Sequence, residues 1–149
     1  MSWNIFEEHA PELASHGVDR LHRKIAYLAI LYPDGSPRLN PVTPFIGNGM
    51  LFMFTEPTSP KIRYLRRDGR YAKHCAVNRE GPWVEYLVSG VAREITDPAV
   101  REQAENCAAS SVVGNTYALF EFMIERVLVV TYDEQKKKLV RRWQSGNLY

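Results

Sequence analysis

Phe54-Thr55-Glu56-Pro57-Thr58-Ser59-Pro60-Lys61 is the stretch on which the reading turns. It follows Met50 to Phe54, an apolar run of β type, and precedes Ile62 and Leu65, which lie three apart on one helical face. A strand therefore ends at Thr55, a brief loop passes Pro57, and Ser59 and Pro60 supply an N-cap and a proline at the first helical position. The opening of a helix leaves backbone N–H groups without intrahelical partners and carries partial positive charge, so an anion is stabilised there. Thr55 and Ser59 add hydroxyls, and Lys61 adds a full charge. A cation in a first helical turn is unfavourable by roughly 0.3 to 1 kcal/mol unless something negative is bound. Two readings stand at this point: a phosphate seat, or an ordinary Ser59 cap beside a solvated Lys61.

Upstream, Lys24 to Tyr32 reads as a first strand closed by the turn signal Pro33-Asp34-Gly35. Arg38 to Ile46 and Met50 to Thr55 flank Gly47-Asn48-Gly49 and read as a pairing hairpin. Alternation puts Arg38, Asn40 and Val42 on one face and Leu39, Pro41 and Thr43 on the other. Pro41 and Pro44 lack ladder donors, which places this strand at an edge or against something other than a strand, such as a flat bound ring. Arg38 offers a fork that grips phosphate bidentately. Ile5 to Leu21, within a segment spanning 1–22, is mildly amphipathic and predicts a peripheral, loosely held helix.

Downstream, Tyr71 to Val77, Trp83 to Ile95, Phe120 to Tyr132 and Leu139 to Trp143 are of β type. Gly90 marks a bulge or bend in the long strand, and Asp97-Pro98 opens a helix reaching about Ala108. Strands outnumber helices, their connections are short, and neither a long βαβ alternation nor a G-x-G-x-x-G fingerprint occurs, which favours an antiparallel barrel. We expect one mainly β domain over 1–149, a six-stranded antiparallel Greek-key split barrel with short helices.

At 149 residues and a formal net charge of +2, the chain fits one domain and carries no global signal for nucleic acid or membrane. The basic residues are uneven: Lys61, Arg63, Arg66, Arg67, Arg70, Lys73 and Arg79 share a stretch with Asp68 as its acidic residue among them. Arg63 and Arg67 read best as a solvated face, while Arg66 and Arg70 stay open. Cys75 and Cys107 match no disulfide framework, the N-terminal residues lack a leader pattern, and no run reaches the roughly 18 apolar residues of a span; a cytoplasmic protein is expected. The four histidines show no metal-ligand spacing, and Ser89-Gly90 and Ser110-Ser111 lack the setting of a nucleophile elbow. An RNA-binding barrel using Tyr64, Tyr71, Trp83 and Tyr86 as stacking groups is the weakest reading.

Arg38-Leu39-Asn40-Pro41-Val42, Thr55…Ser59-Pro60-Lys61 and Leu65-Arg66-Arg67-Asp68 together resemble the pyridoxamine 5′-phosphate oxidase-like FMN-binding split barrels, over about Lys24 to Ile95. The resemblance implies that the strand bearing Arg38 lies along a flavin and that Thr55, Ser59 and Lys61, with Phe54 and Pro60 beside them, bind the phosphate of flavin mononucleotide (FMN). It implies a homodimer with the cofactor at the subunit interface. Arg142-Trp143-Gln144-Ser145-Gly146 resembles the stretch with which such oxidases reach flavin from the neighbouring subunit, so Trp143 either covers the ring there or caps a barrel end. The sequence stops at Tyr149, without the arginine-leucine-histidine segment of true oxidases, which implies a substrate other than pyridoxamine phosphate. The resemblance further implies an oxidoreductase passing hydride or electrons through flavin, with alternatives in a deazaflavin-dependent reductase or a non-catalytic flavin, haem or stress-related module. Substrate contacts are expected from the loop Ser110 to Ala118.

Overall fold

A computed structural model describes residues 1–108 and 113–146, so the 110–112 part of the loop from which substrate contacts were expected lies outside the described residues. The elements run α1 Trp3–His9, α2 Pro11–Leu21, β1 Ala26–Leu31, β2 Pro37–Val42, β3 Phe45–Gly47, β4 Met50–Thr55, α3 Pro60–Arg67, β5 Arg70–Cys75, β6 Glu85–Ile95, α4 Pro98–Cys107, β7 Ala118–Tyr132 and β8 Lys138–Gln144. All strand pairs are antiparallel, in the order β2-β1-β5-β6-β7-β4-β3, with β8 paired to β7 off that path. The two ends of the path, β2 and β3, are neighbours in sequence yet unpaired. The barrel is split there.

Eight strands form instead of the six expected. The stretch Arg38 to Ile46 breaks at Thr43-Pro44, and only Phe45–Gly47 pairs with β4; β2 pairs with β1 instead, from Pro37 against Leu31 to Val42 against Ala26. The cause is local. Asp34 Oδ1 accepts from the Ser36 amide at 2.9 Å and hydroxyl at 2.6 Å, Gly35 takes φ 84°, and Tyr32 N–H closes onto Ser36 O at 2.9 Å, so β1 folds straight back. Pro44 then cannot carry a ladder onward. The β3–β4 hairpin turns on Asn48 and Gly49, both at positive φ. Gly90 marks the register shift between β6 and β7.

The 1–22 segment differs most from its expected loose attachment. It forms two helices split at Pro11, and Trp3, Phe6, Ala14 and Leu21 are buried among the barrel's inner residues. Phe6 meets Trp3 edge-on at 5.3 Å and Trp143 at 4.9 Å, and the N-terminal amine donates to Ile124 O at 2.9 Å. The helices plug one end of the barrel. Each such large apolar side chain contributes about 1.5–3 kcal/mol on burial. A second cluster, with Phe45, Phe52 and Leu119, packs under α4, whose cap Asp97 accepts from the Ala99 amide at 2.8 Å. Among the described residues no helix is long and apolar enough to cross a membrane.

Candidate anion and cofactor site

The split between β2 and β4 holds a cavity of about 510 Å³, walled by the end of β4, the β2 edge and the opening of α3. It gathers Arg38, Pro41, Val42, Phe54, Thr55, Ser59, Pro60 and Lys61 from the residues singled out in the sequence, together with Glu56. Leu39 is not among its walls; it points outward, 66% exposed. Asn40 and Trp143 also stand outside the cavity.

Two cations, Arg38 and Lys61, face this space with no ion pair among the described residues. Among the described residues Arg38 Nη1 on β2 and Thr55 Oγ1 on β4 are buried with no hydrogen-bond partner, as is Nδ2 of Asn40, which shares a face of β2 with Arg38. A buried donor left unmade costs about 1–3 kcal/mol, so such groups mark places where a partner is meant to arrive. Burial, reinforced by the charge of Arg38 and opposed by Glu56, lowers the Lys61 ammonium below its ordinary range. An anion between the two cations reverses that effect. The Arg38 guanidinium lies 5.6 Å from the ring centroid of Tyr64, and Tyr64 in turn meets Tyr32 edge-on at 5.5 Å. The sequence reading named Tyr64 only as an RNA-stacking candidate and gave Glu56 no role. A signal for Tyr64 was present, because it stands three residues after Lys61 on one helix and so shares its side.

The groups facing the cavity are side chains, and the first amides of α3 are engaged within the chain, which differs from the amide-rich helix opening expected. Ser59 N–H donates to Glu56 O at 2.9 Å, Pro60 has no N–H, Lys61 N–H donates to Ser59 Oγ at a long 3.4 Å, and Ile62 N–H donates to Ser59 O at 3.3 Å. The helix start caps itself, and the positive end of α3 contributes only its dipole.

Arg66, Arg67, Arg70 and Lys73 of the basic stretch are engaged elsewhere. Arg66 forks onto Glu94 with two bonds of 2.7 Å, and Arg70 pairs with Asp68 at 2.7 Å, holding that carboxyl at about 2. Arg67 caps the β1–β2 turn through the carbonyls of Tyr32 at 2.7 Å and of Leu31 and Pro33 at 3.4 Å. Lys73 is fully buried in the barrel, its ammonium nitrogen 3.3 Å from the Phe122 ring centroid.

Trp143 turns into its own chain, against Phe6, while its neighbours Arg142 and Gln144 are exposed. The strand's alternation decides this: Val127, opposite Trp143, is a core residue, and Leu128, opposite Arg142, is not.

No family model matches the sequence, and a search of curated proteins found no match. Solved structures do match. A putative pyridoxamine 5′-phosphate oxidase from Listeria innocua superposes with TM-score 0.63 at 16% identity, over 83% of this chain and 97% of its own. A FAD-binding protein from Mesorhizobium loti gives TM-score 0.64 at 17% identity, over 80% and 95%. The chain has the split-barrel fold. A haem-binding protein from Mycobacterium smegmatis shares it, with TM-score 0.64 at 14% identity, over 81% of this chain and 52% of that one. At these identities the likeness is one of fold, and the cavity in the split is this chain's own.

Proposed function

We propose that this split barrel is a flavoprotein oxidoreductase that holds the phosphate of FMN between Arg38 and Lys61. The observation that carries the reading is the pair of buried, unpartnered donors, Arg38 Nη1 and Thr55 Oγ1, on the walls of the cavity that also contains the desolvated Lys61. A phosphomonoester brings charge near −2 and three acceptor oxygens, enough for one arginine, one ammonium and two hydroxyls. Pro41 and Val42 present apolar surface without a donor at Pro41, suited to a flat ring laid along the β2 edge. FMN, when bound, supplies the hydride or electron transfer. The chain's own residues bind, orient and desolvate it, and none is required as an acid or base.

The reading includes a homodimer with the cofactor at the interface. One sheet face, on which none of the following residues is buried, carries two cross-strand rows: Leu39–Ala29–Ala72–Ser89–Arg126–Gln144 and Pro41–Tyr27–His74–Leu87–Leu128–Arg142. A two-fold axis through the middle of these rows would bring the β8 end of one copy beside the β2 edge, and so the cavity, of the other. Trp143, turned inward, is a poor candidate for covering the partner's ring; Arg142 and Gln144 are better placed.

A deazaflavin with an acidic tail is the weaker fit, because Arg66 and Arg70 are already paired with Glu94 and Asp68. Haem finds no histidine or cysteine on the cavity walls. A cytoplasmic setting suits the two free cysteines, of which Cys75 is buried and bonded to Val84 O and the Tyr86 amide.

The test is titration of the purified protein with FMN, riboflavin and a deazaflavin, read by flavin fluorescence, with light scattering for mass. FMN should bind at least tenfold tighter than riboflavin, and Lys61→Ala should remove most of that difference. Equal affinity for FMN and riboflavin would sink the phosphate seat, and a monomer mass at micromolar concentration would sink the dimer.

A further inference from the structure

A second cavity of about 500 Å³ lies on the β6–β7–β8 part of the sheet and shares no wall residue with the one in the split. Its outward-facing apolar side chains are Leu87 and Leu128, its charge comes from Arg126 and Arg142, and the strands under it pass through Val127 and Trp143, whose side chains turn to the core. Register makes the two arginines diagonal neighbours: Arg126 lies opposite Gln144 and Leu128 opposite Arg142 on one face of the β7–β8 hairpin. Like charges so placed repel unless an anion joins them. Among the described residues neither has a carboxylate within ion-pair distance. The contrast with adjacent residues is sharp: Arg141 turns the other way to Glu12 at 2.9 Å, and Glu85, two positions before Leu87, is engaged by Trp83 Nε1 at 3.0 Å.

We propose that this cavity binds a flat aromatic carboxylate, its ring on Leu87 and Leu128 and its carboxylate between Arg126 and Arg142. The volume lies in the range of small-ligand pockets, roughly 300–1,000 Å³, and the composition matches them: mostly apolar, with a few converging polar groups. Guanidinium forks match carboxylates bidentately, so two arginines define orientation as well as charge. The cavity contains no acid and no histidine, so a cationic or metal-bearing ligand has nothing to meet. The inference needs only this cavity. Under the pairing proposed above it would open toward the partner's β2 edge, making the aromatic acid a substrate candidate of the same cleft.

The experiment uses 2-naphthoate and its uncharged isostere 2-naphthamide, titrated calorimetrically into the purified protein with and without FMN. The acid should bind at least tenfold more tightly than the amide. Arg126→Gln and Arg142→Gln should each cut naphthoate affinity about tenfold and leave naphthamide unchanged. No naphthoate binding, or equal affinity for acid and amide on the unmodified protein, overturns the inference without any variant having to fold. Failure of FMN to bind in the parallel titration counts against the flavoprotein reading alone.

Discussion

The guanidinium of Arg38 rests 5.6 Å from the ring centroid of Tyr64, and its Nη1 is buried without a hydrogen-bond partner. Tyr64 also carries Arg63 at 5.2 Å, so one ring on α3 organises cations from two elements. It gives Arg38, which has no carboxylate partner among the described residues, a fixed direction toward the cavity.

Tyr64→Leu should therefore weaken FMN binding about two- to fivefold, the worth of one partly exposed cation–π contact of about 0.5–1 kcal/mol. Tyr64→Phe should keep most of the affinity, and riboflavin binding should not change in either. Fluorescence titration of both ligands separates a positioning effect from a general loss of fold.

Thr55 is 3% exposed and its hydroxyl has no partner. Replacing it with valine removes an unmade hydrogen bond, so Thr55→Val should raise the stability of the ligand-free protein by about 1 kcal/mol and weaken FMN binding. Denaturant unfolding beside a titration would show the two effects moving in opposite directions, the signature of a group held for a ligand.

Lys73 is buried in the barrel against Phe122 and Tyr71, and burial drives its amine well below the ordinary range. The sign follows from linkage. A folded-state pKa below the unfolded value of about 10.4 means that the unfolded chain binds the extra proton, so this residue's contribution to stability improves as pH rises and levels off above about 10.4. Lys73→Met, similar in volume, should be more stable than the original at pH 7 by at least about 1 kcal/mol, with the gap narrowing toward pH 10. Thermal melts across that range measure it, and a gap that does not depend on pH would count against the account.

Gly90 sits where β6 shifts register against β7, and a Cβ there would collide with the backbone carbonyl of Met123. That neighbour is backbone and cannot rotate away. Gly90→Ala should cost about 3 kcal/mol or more, whereas Gly35→Ala, whose Cβ would meet nothing within 4 Å, should cost only the smaller penalty of its positive φ. Paired melting curves would check the ranking.

Much of this molecule was legible because its punctuation is local. Ser59-Pro60 and Asp97-Pro98 cap helices through their own next residues, Pro33-Asp34-Gly35 turns through Ser36, and proline in β2 keeps that strand at an edge. Eight of the eleven residues chosen from sequence meet in one cavity because two short segments, 38–42 and 54–61, both border the split. What the sequence by itself determined was the set of elements and the chemistry available to each. Only the tertiary structure decided which groups remain unspent: that Glu94 and Asp68 take Arg66 and Arg70 while Arg38 and Lys61 are left facing space, that Trp3 and Phe6 plug the barrel, and that Trp143 points inward. Those outcomes depend on register and on contacts between residues far apart in the chain, where a shift of one position on a strand exchanges the buried face for the exposed one.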